Sequence, residues 1–282
     1  MKRVAIIGGG LMGGSLGLAL KRRGLAQVGV YARREETRLL ALTLGTADAV
    51  FETPQAALRG SDVAVFCTPI CSIPDVAREC AAAFEPGCVV TDVGSTKAGL
   101  VKAMSDVFKN TKTLFVGSHP MAGSEKNGME AARADLYQGA VVAITPLPET
   151  ASEAIQVVSS LWSGVGAKVV KVTPEQHDDL VARSSHLPHL IAALLATTTG
   201  RDEIVTQKMF CGQGFRDTTR VASGSPDVWH DIVKTNHAAI LHELYEYNKV
   251  LNDLTQLLER KDYQGIREML ENARRLRQEL LG

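Results

Sequence analysis

The chain has 282 residues, 45% of them apolar and 22% charged, an ordinary globular balance with room for one large domain or two smaller ones. Lysine plus arginine equals aspartate plus glutamate at 31 each, so no bulk charge directs the protein to nucleic acid or an anionic membrane. Its longest apolar stretches fall short of the roughly 18 residues of a spanning helix, and the cysteines lack zinc-ligand spacing, which points to reduced thiols in a cytoplasmic protein and to no bound metal.

The N-terminal MKRVAIIGGG sets two basic residues before an apolar run, superficially a signal peptide, but only four apolar residues precede the glycines and a first strand is the better reading. Strand-like runs follow at 28–31, 63–67, 88–92, 113–116, 141–145 and 168–172, after the first at 3–7. Between them lie apolar-periodic stretches such as 11–23, 73–84 and 151–164, so the pattern predicts a doubly wound parallel α/β sheet covered by helices. From Thr173 onward no strand-like run recurs, and long amphipathic stretches cover 174–199, 202–211, 226–260 and 263–281. Leu244, Tyr247, Leu251, Leu254 and Leu258 form one apolar stripe, which packs on neighbouring helices or on a second subunit. The expected domains are 1–172, α/β, and 173–282, all-helical.

The first strand runs into GGGLMG at 8–13, a G-x-G-x-x-G placed between strand and helix. Gly8 permits the tight turn, Gly10 lets backbone approach a pyrophosphate, and Gly13 lets helix pack on strand. Leu11 and Met12 open the helix whose N-terminus faces the phosphates. At the end of the second strand the chain reads VGVYARREE: Tyr31 stands where an NAD-type site carries an acid, and Arg33 and Arg34 follow. Guanidinium groups bind a 2′-phosphate that a carboxylate would repel, so NADP is the expected cofactor, with NAD left open. Thr68 and Pro69, after the 63–67 strand, complete the expected nucleotide contacts.

Four further segments put polar residues near the carboxyl ends of strands or on the helical part, where such sheets build their sites. CVVTDVGSTK carries Ser95 and Lys97; TLFVGSHPMAGSEKNG carries His119, Ser124 and Glu125 in a loop past the next strand. RSSHLPH places Ser185 and His189 four residues apart on one helical face, with a kink expected at Pro188. GQGFRDTTR brings Arg216 and Arg220 on a glycine-flanked turn, followed by Trp229. Each alone has a plainer reading as a cap, a local hydrogen bond or an ion pair. Together they describe a pocket for an anionic, hydroxyl-bearing small molecule.

The set GGGLMG, DVGSTK, GSHPMAGSEKNG, SHLPH and GFRDTTR, in this order along nearly the whole chain, resembles the prephenate/arogenate dehydrogenase family. The resemblance implies a Rossmann domain followed by a helical dimerisation domain, hence a homodimer. It implies hydride transfer to a nicotinamide cofactor with loss of carbon dioxide, turning a cyclohexadienol into a phenol in tyrosine biosynthesis. By the same resemblance His119 takes the ring hydroxyl's proton and Ser95 gives that hydroxyl a second hydrogen bond. Arg220, and secondarily Arg216, pair with substrate carboxylate. Ser124, Glu125, Ser185, His189 and Trp229 line the substrate. The arginine-rich cofactor turn with HPMAG and GFRDT resembles the compact NADP-using arogenate dehydrogenases, and Glu125 or Asp217 would suit arogenate's ammonium. Prephenate stays open. The family's optional regulatory domain would find no place after Leu281, so inhibition by tyrosine would act at the active site.

Two other functions share parts of this pattern. A β-hydroxyacid dehydrogenase or imine reductase has the same layout but would put a lysine on the first long helix after residue 172, and 174–199 contains none. A non-catalytic NADP-binding redox sensor would need the glycine loop but not His119, Ser95 and Arg220 together.

Overall fold

The computed structural model describes residues 1–123, 128–201 and 204–282. The seven expected strands all form, within one residue at each end, but they divide between two sheets. β1 (Arg3–Ile7), β2 (Gln27–Tyr31), β3 (Ala49–Phe51), β4 (Val63–Phe66), β5 (Val89–Asp92) and β6 (Leu114–Phe115) make a parallel sheet in the order β3-β2-β1-β4-β5-β6. The connecting helices are α1 (Leu11–Arg22), α2 (Glu35–Thr43), α3 (Pro54–Leu58), α4 (Ile73–Glu79) and α5 (Ala98–Phe108). The order reverses between β1 and β4, where such sheets open their ligand crevice.

Successive strand residues point to opposite faces, and both faces here are apolar. Val4, Ile6, Val28, Val30, Val63 and Val65 share one core with Leu16 of α1 and with Trp162 of α6 (Ser152–Gly164). Ala5, Ile7, Ala64, Phe66 and Val90 share the other with Ile73 of α4 and Met104 of α5.

The second sheet was not foreseen. After β6 the chain leaves the parallel sheet at Val116 and forms β7 (Gly117–Pro120), which pairs antiparallel with β8 (Val141–Thr145); β8 pairs parallel with β9 (Lys168–Lys171). His119 therefore stands on a strand, opposite Ala143, rather than in a loop past one. Gly117 permits the crossing, because a Cβ there would lie 2.6 Å from Thr145 Oγ1 and 2.8 Å from a Val101 methyl.

α7 (Pro174–Val181) opens with a capping box: Thr173 Oγ1 accepts from Gln176 N (3.1 Å), and Gln176 Oε1 accepts from Thr173 N (3.2 Å). A π-helical turn, Ala182–His186, then leads into α8 (Leu187–Thr199). The expected kink at Pro188 becomes this wider turn. Proline has no N–H to give the carbonyl four residues back and its ring clashes with that carbonyl, and a wider π turn before it makes room for the ring. α9 (Ile204–Phe210) and α10 (Gln213–Thr219) follow. α10 makes the expected glycine-flanked turn a helix, with Arg220 starting the 3₁₀ turn Arg220–Ser223 after it. α11 (Pro226–Thr235) and α12 (His237–Glu259) were expected as one helix. They separate at Asn236, whose side-chain amide donates to the Asp178 carbonyl (2.8 Å).

The chain forms two compact units, Met1–His237 and Ala238–Gly282. In the second, α12 turns into α13 (Tyr263–Leu281) at Lys261 (φ 54°), and the Asp262 carboxylate caps α13 by accepting from Gly265 N (2.8 Å). Leu251 (47%) and Leu258 (56%) of the apolar stripe stay exposed. Among the described residues no helix is long and apolar enough to cross a membrane, and no group of three or more His, Cys, Asp or Glu could hold a metal ion.

Candidate active site

β1 ends at Ile7 and the chain turns at once: Gly8 has φ +125°, and its N–H donates to the Tyr31 carbonyl at the end of β2 (3.0 Å). A Cβ on Gly8 would lie 2.6 Å from the Cys67 carbonyl, and one on Gly13 would lie 2.1 Å from the Gly8 carbonyl oxygen, so neither place admits a side chain. Gly10 differs, with nothing within 4 Å of its Cβ position. It is the N-cap of α1 and offers no side-chain cap, which leaves the helix's first N–H groups for a ligand. A groove of about 480 Å3 runs from Gly10, Leu11 and Met12 past Thr68, Pro69 and Ile70 to Gly94 and Ser95, with Asp227 and Asp231 of α11 along its far side. Among the described residues Thr68 Oγ1 is buried without a hydrogen-bond partner, which a bound ligand would supply. The open helix end, the close glycines and this hydroxyl fit a dinucleotide.

Tyr31 is half-buried; Arg33 and Arg34 are exposed, and Arg34 is the N-cap of α2. Among the described residues neither of the two guanidinium groups is engaged, although Glu35 and Glu36 are adjacent. Burial pushes the thiol of Cys67, beside the groove, far above its ordinary 9.0, which disfavours its thiolate.

The polar machinery grows from the end of β5. Asp92 is fully buried; its carboxylate accepts from Gly94 N (2.7 Å) and Ser118 N (3.0 Å) and pairs with the equally buried Lys97. Lys97 Nζ also donates to the Ser118 carbonyl (2.9 Å). Burial lowers the Lys97 ammonium from its ordinary 10.5, and Asp92 opposes that shift. This ion pair clamps the loop that carries Ser95 to the strand that carries His119.

His119 is half-buried, and its Nδ1 lies 2.8 Å from His177 Nε2. His177 Nδ1 lies 2.8 Å from Asp178 Oδ1, and the Asp178 carboxylate also accepts from Lys97 N (2.7 Å) and Ala98 N (2.9 Å) at the start of α5. Desolvation holds His119 well below the ordinary 6.5, helped by the positive potential of His177, Lys97 and His186. It is a neutral imidazole at physiological pH, which a general base requires.

On the helical side His189 stacks on Trp229 (centroids 3.4 Å apart, rings 12° from parallel), and His186 meets the same indole edge-on at 5.9 Å. Gly224 leaves the room: a Cβ there would come 2.8 Å from Trp229 Nε1. Burial lowers His189, and it pushes His186 down to about 4. Asn236 Nδ2 donates to His186 Nδ1 (3.3 Å). Ser185 is half-buried on the π turn. Arg216 and Arg220 are exposed; Arg216 Nε donates to the Cys211 carbonyl (3.5 Å), while the Arg220 guanidinium makes no ion pair among the described residues. Ser124 and Glu125 lie outside the described residues.

Asp92, His177, Asp178, His186 and Asn236 were not singled out from sequence. The adjacent His-Asp of PEQHDDLV was the available signal, but it lies 58 positions from its partner His119.

The family model "Prephenate dehydrogenase, nucleotide-binding domain" matches residues 16–171, and "Prephenate dehydrogenase, dimerization domain" matches 173–272. The cyclohexadienyl dehydrogenase of Zymomonas mobilis is 32% identical over 280 residues, covering 98% of this chain and 95% of that one. Prephenate dehydrogenase from Aquifex aeolicus, solved with hydroxyphenyl propionate and NAD+, superposes with a TM-score of 0.92 at 30% identity, covering 99% of this chain and 98% of that one. Synechocystis arogenate dehydrogenase superposes at 0.85 with 27% identity, covering 99% and 100% of the two chains.

Proposed function

Because this chain belongs to the prephenate dehydrogenase family, we propose that it oxidises arogenate to tyrosine with loss of carbon dioxide, using NADP, and that prephenate is the competing substrate. The observation that carries the reading is His119 tied through His177 and Asp178 to the backbone of Lys97, two residues from the groove-lining Ser95.

In this reading Gly8, Gly10, Leu11, Met12, Gly13, Thr68 and Pro69 hold the dinucleotide, and Tyr31, Arg33 and Arg34 face its adenosine ribose. When bound, the nicotinamide supplies the hydride acceptor. His119 receives the proton of the substrate's ring hydroxyl, and Ser95 orients that hydroxyl by a second hydrogen bond. Carbon dioxide leaves as the ring becomes aromatic, so no residue has to stabilise a lasting carbanion. Arg220, with Arg216 secondary, offers planar N–H forks to a carboxylate. Ser185, His189 and Trp229 bound the substrate's side-chain end, and Ser124 and Glu125 are assigned to the substrate by the resemblance alone. NADP rather than NAD is favoured by the two unengaged arginines and by the absence of an acid at Tyr31. We assign residues 1–172 to nucleotide binding and 173–282 to substrate binding and dimerisation in a cytoplasmic homodimer. The exposed stripe on α12 supports that assembly.

Purified protein should reduce NADP with arogenate faster than with prephenate, and faster than it reduces NAD. Silence with both substrates and both cofactors would overturn the reading; a preference for prephenate or NAD would overturn only its finer half.

A further inference from the structure

His119, His177 and Asp178 stand in a row across two parts of the fold that meet only in the folded state. The carboxylate of Asp178 can only accept, so His177 Nδ1 carries a proton and donates it (2.8 Å). A neutral His177 then has a bare Nε2, which must accept, so the proton of His119 lies on Nδ1 (2.8 Å between the nitrogens). One acceptor at the end of the row therefore determines both tautomers. The lone pair of His119 is left on Nε2.

We propose that His177 and Asp178 are positioning residues for the reaction: they lock His119 in the tautomer with a free Nε2, and they draw away the charge it acquires. The proposal rests on His119 being the base. As the substrate O–H bond breaks, an N–H bond forms at His119 Nε2. The Nδ1 proton of His119 passes to His177 Nε2, leaving His119 neutral and His177 an imidazolium paired with Asp178. One proton enters the row and none leaves it during the hydride step.

The surroundings make such an outlet useful. Among the described residues, the charged and titratable groups around His119 are Lys97 and its partner Asp92 from the end of β5, His177 and Asp178 from α7, and His186 from the π turn. Lys97 is already matched by Asp92, so Asp178 is the negative group in line with the His119 imidazole. Its carboxylate is in turn held by two N–H groups at the start of α5 (2.7 and 2.9 Å), where a helix N-terminus favours an anion. Asn236 holds the Asp178 carbonyl (2.8 Å), which keeps the residue from rotating out of line.

The test compares His177→Phe, His177→Gln and His119→Asn in the full chain, with kcat, KM for substrate and cofactor, and the pH dependence of kcat. Phenylalanine fills the space but removes the acceptor, so kcat should fall about 10–100-fold, as for other lost orienting partners, while both KM values stay within about threefold. Glutamine can still accept from Nδ1 through its amide oxygen and should recover part of that loss. Both variants remove His177, whose charge would otherwise oppose one on His119, and cut the link to Asp178. Because Asp178 neutralises the charge passed to His177, the lost link dominates, and the acid limb of kcat, where His119 protonates, should move to lower pH. A kcat in His177→Phe within about twofold of the parent, or a lowered kcat with an unmoved acid limb in both His177 variants, would overturn the proposal. His119→Asn separates the two layers. If it alone is inactive while His177→Phe runs at full rate, only the row fails. If His119→Asn itself turns over normally, the base assignment fails first. Cofactor titration by fluorescence on the same samples shows that each variant is folded, and His177→Gln, the smaller change, carries the pH test should the phenylalanine variant not fold.

Discussion

Replacing Lys97 by methionine tests whether the buried ion pair builds the site. The stem keeps its length and apolar packing, and only the ammonium is lost. What remains is the Asp92 carboxylate, fully buried, with two backbone donors at 2.7 and 3.0 Å but no cation, and a Ser118 carbonyl that has lost its bond from Nζ. Breaking a surface pair would cost about 0–1 kcal/mol. Removing one partner of a buried pair costs about 3–5 kcal/mol, because the other charge stays desolvated. At roughly 2–4 °C of melting temperature per kcal/mol for a unit of this size, the midpoint should drop by about 6–20 °C. Urea denaturation followed by tryptophan fluorescence suits the question, since Trp162 is buried and donates to Ser118 Oγ (3.0 Å) inside the same network. Adding Asp92→Asn to Lys97→Met removes the stranded charge and should restore part of the loss. A single variant less than about 1 kcal/mol below the parent, or a double variant worse than the single, would refute the buried-charge account.

His119→Asn should lower kcat by about 10²–10⁴-fold, the usual share of a general base, with cofactor affinity by fluorescence titration nearly unchanged; a near-normal rate would remove His119 from its role. The acid limb of kcat/KM should lie below the ordinary histidine value of 6.5, because the unprotonated His119 is the working form and its folded pKa is depressed. The same sign governs stability. His119 and His186 bind protons more readily unfolded than folded, so pH titration of the melting temperature should show stability lost as pH falls from 6.5 towards about 4. Gly13→Ala should destabilise the fold, since its Cβ would meet the Gly8 carbonyl oxygen at 2.1 Å, whereas Gly10→Ala should melt like the parent but bind cofactor more weakly; an equal stability loss in both would refute the division. Arg33→Ala with Arg34→Ala should raise KM for NADP and leave that for NAD, and equal effects on both would point to general electrostatics.

Local chemistry carried much of the fold. Strands such as VAII and VAVF are apolar on both faces because helices cover both, and glycine spacing places the turn after β1 whatever the rest of the chain does. Where long-range contacts decide, neighbouring residues carry no signal. Nothing in GSHPMAG says that the chain will leave one sheet for another at Gly117; that follows from Lys97 and Asp92 gripping Ser118. The break at Asn236 likewise belongs to a bond with Asp178, 58 positions away.

For this protein, then, family resemblance alone put His119 and Ser95 forward as reactive candidates, while composition, periodicity and glycine spacing determined an α/β nucleotide domain with helices after it and the glycine loop. Those are features of short range, set by φ/ψ freedom, side-chain alternation and the charge of neighbouring residues. Only the tertiary structure decided what stands behind His119. A carboxylate that must accept, a histidine with one free nitrogen and an ion pair without solvent acquire their chemistry from one another, and segments as far apart as Asp92, His119 and Asp178 come together only when the two sheets and α7 pack.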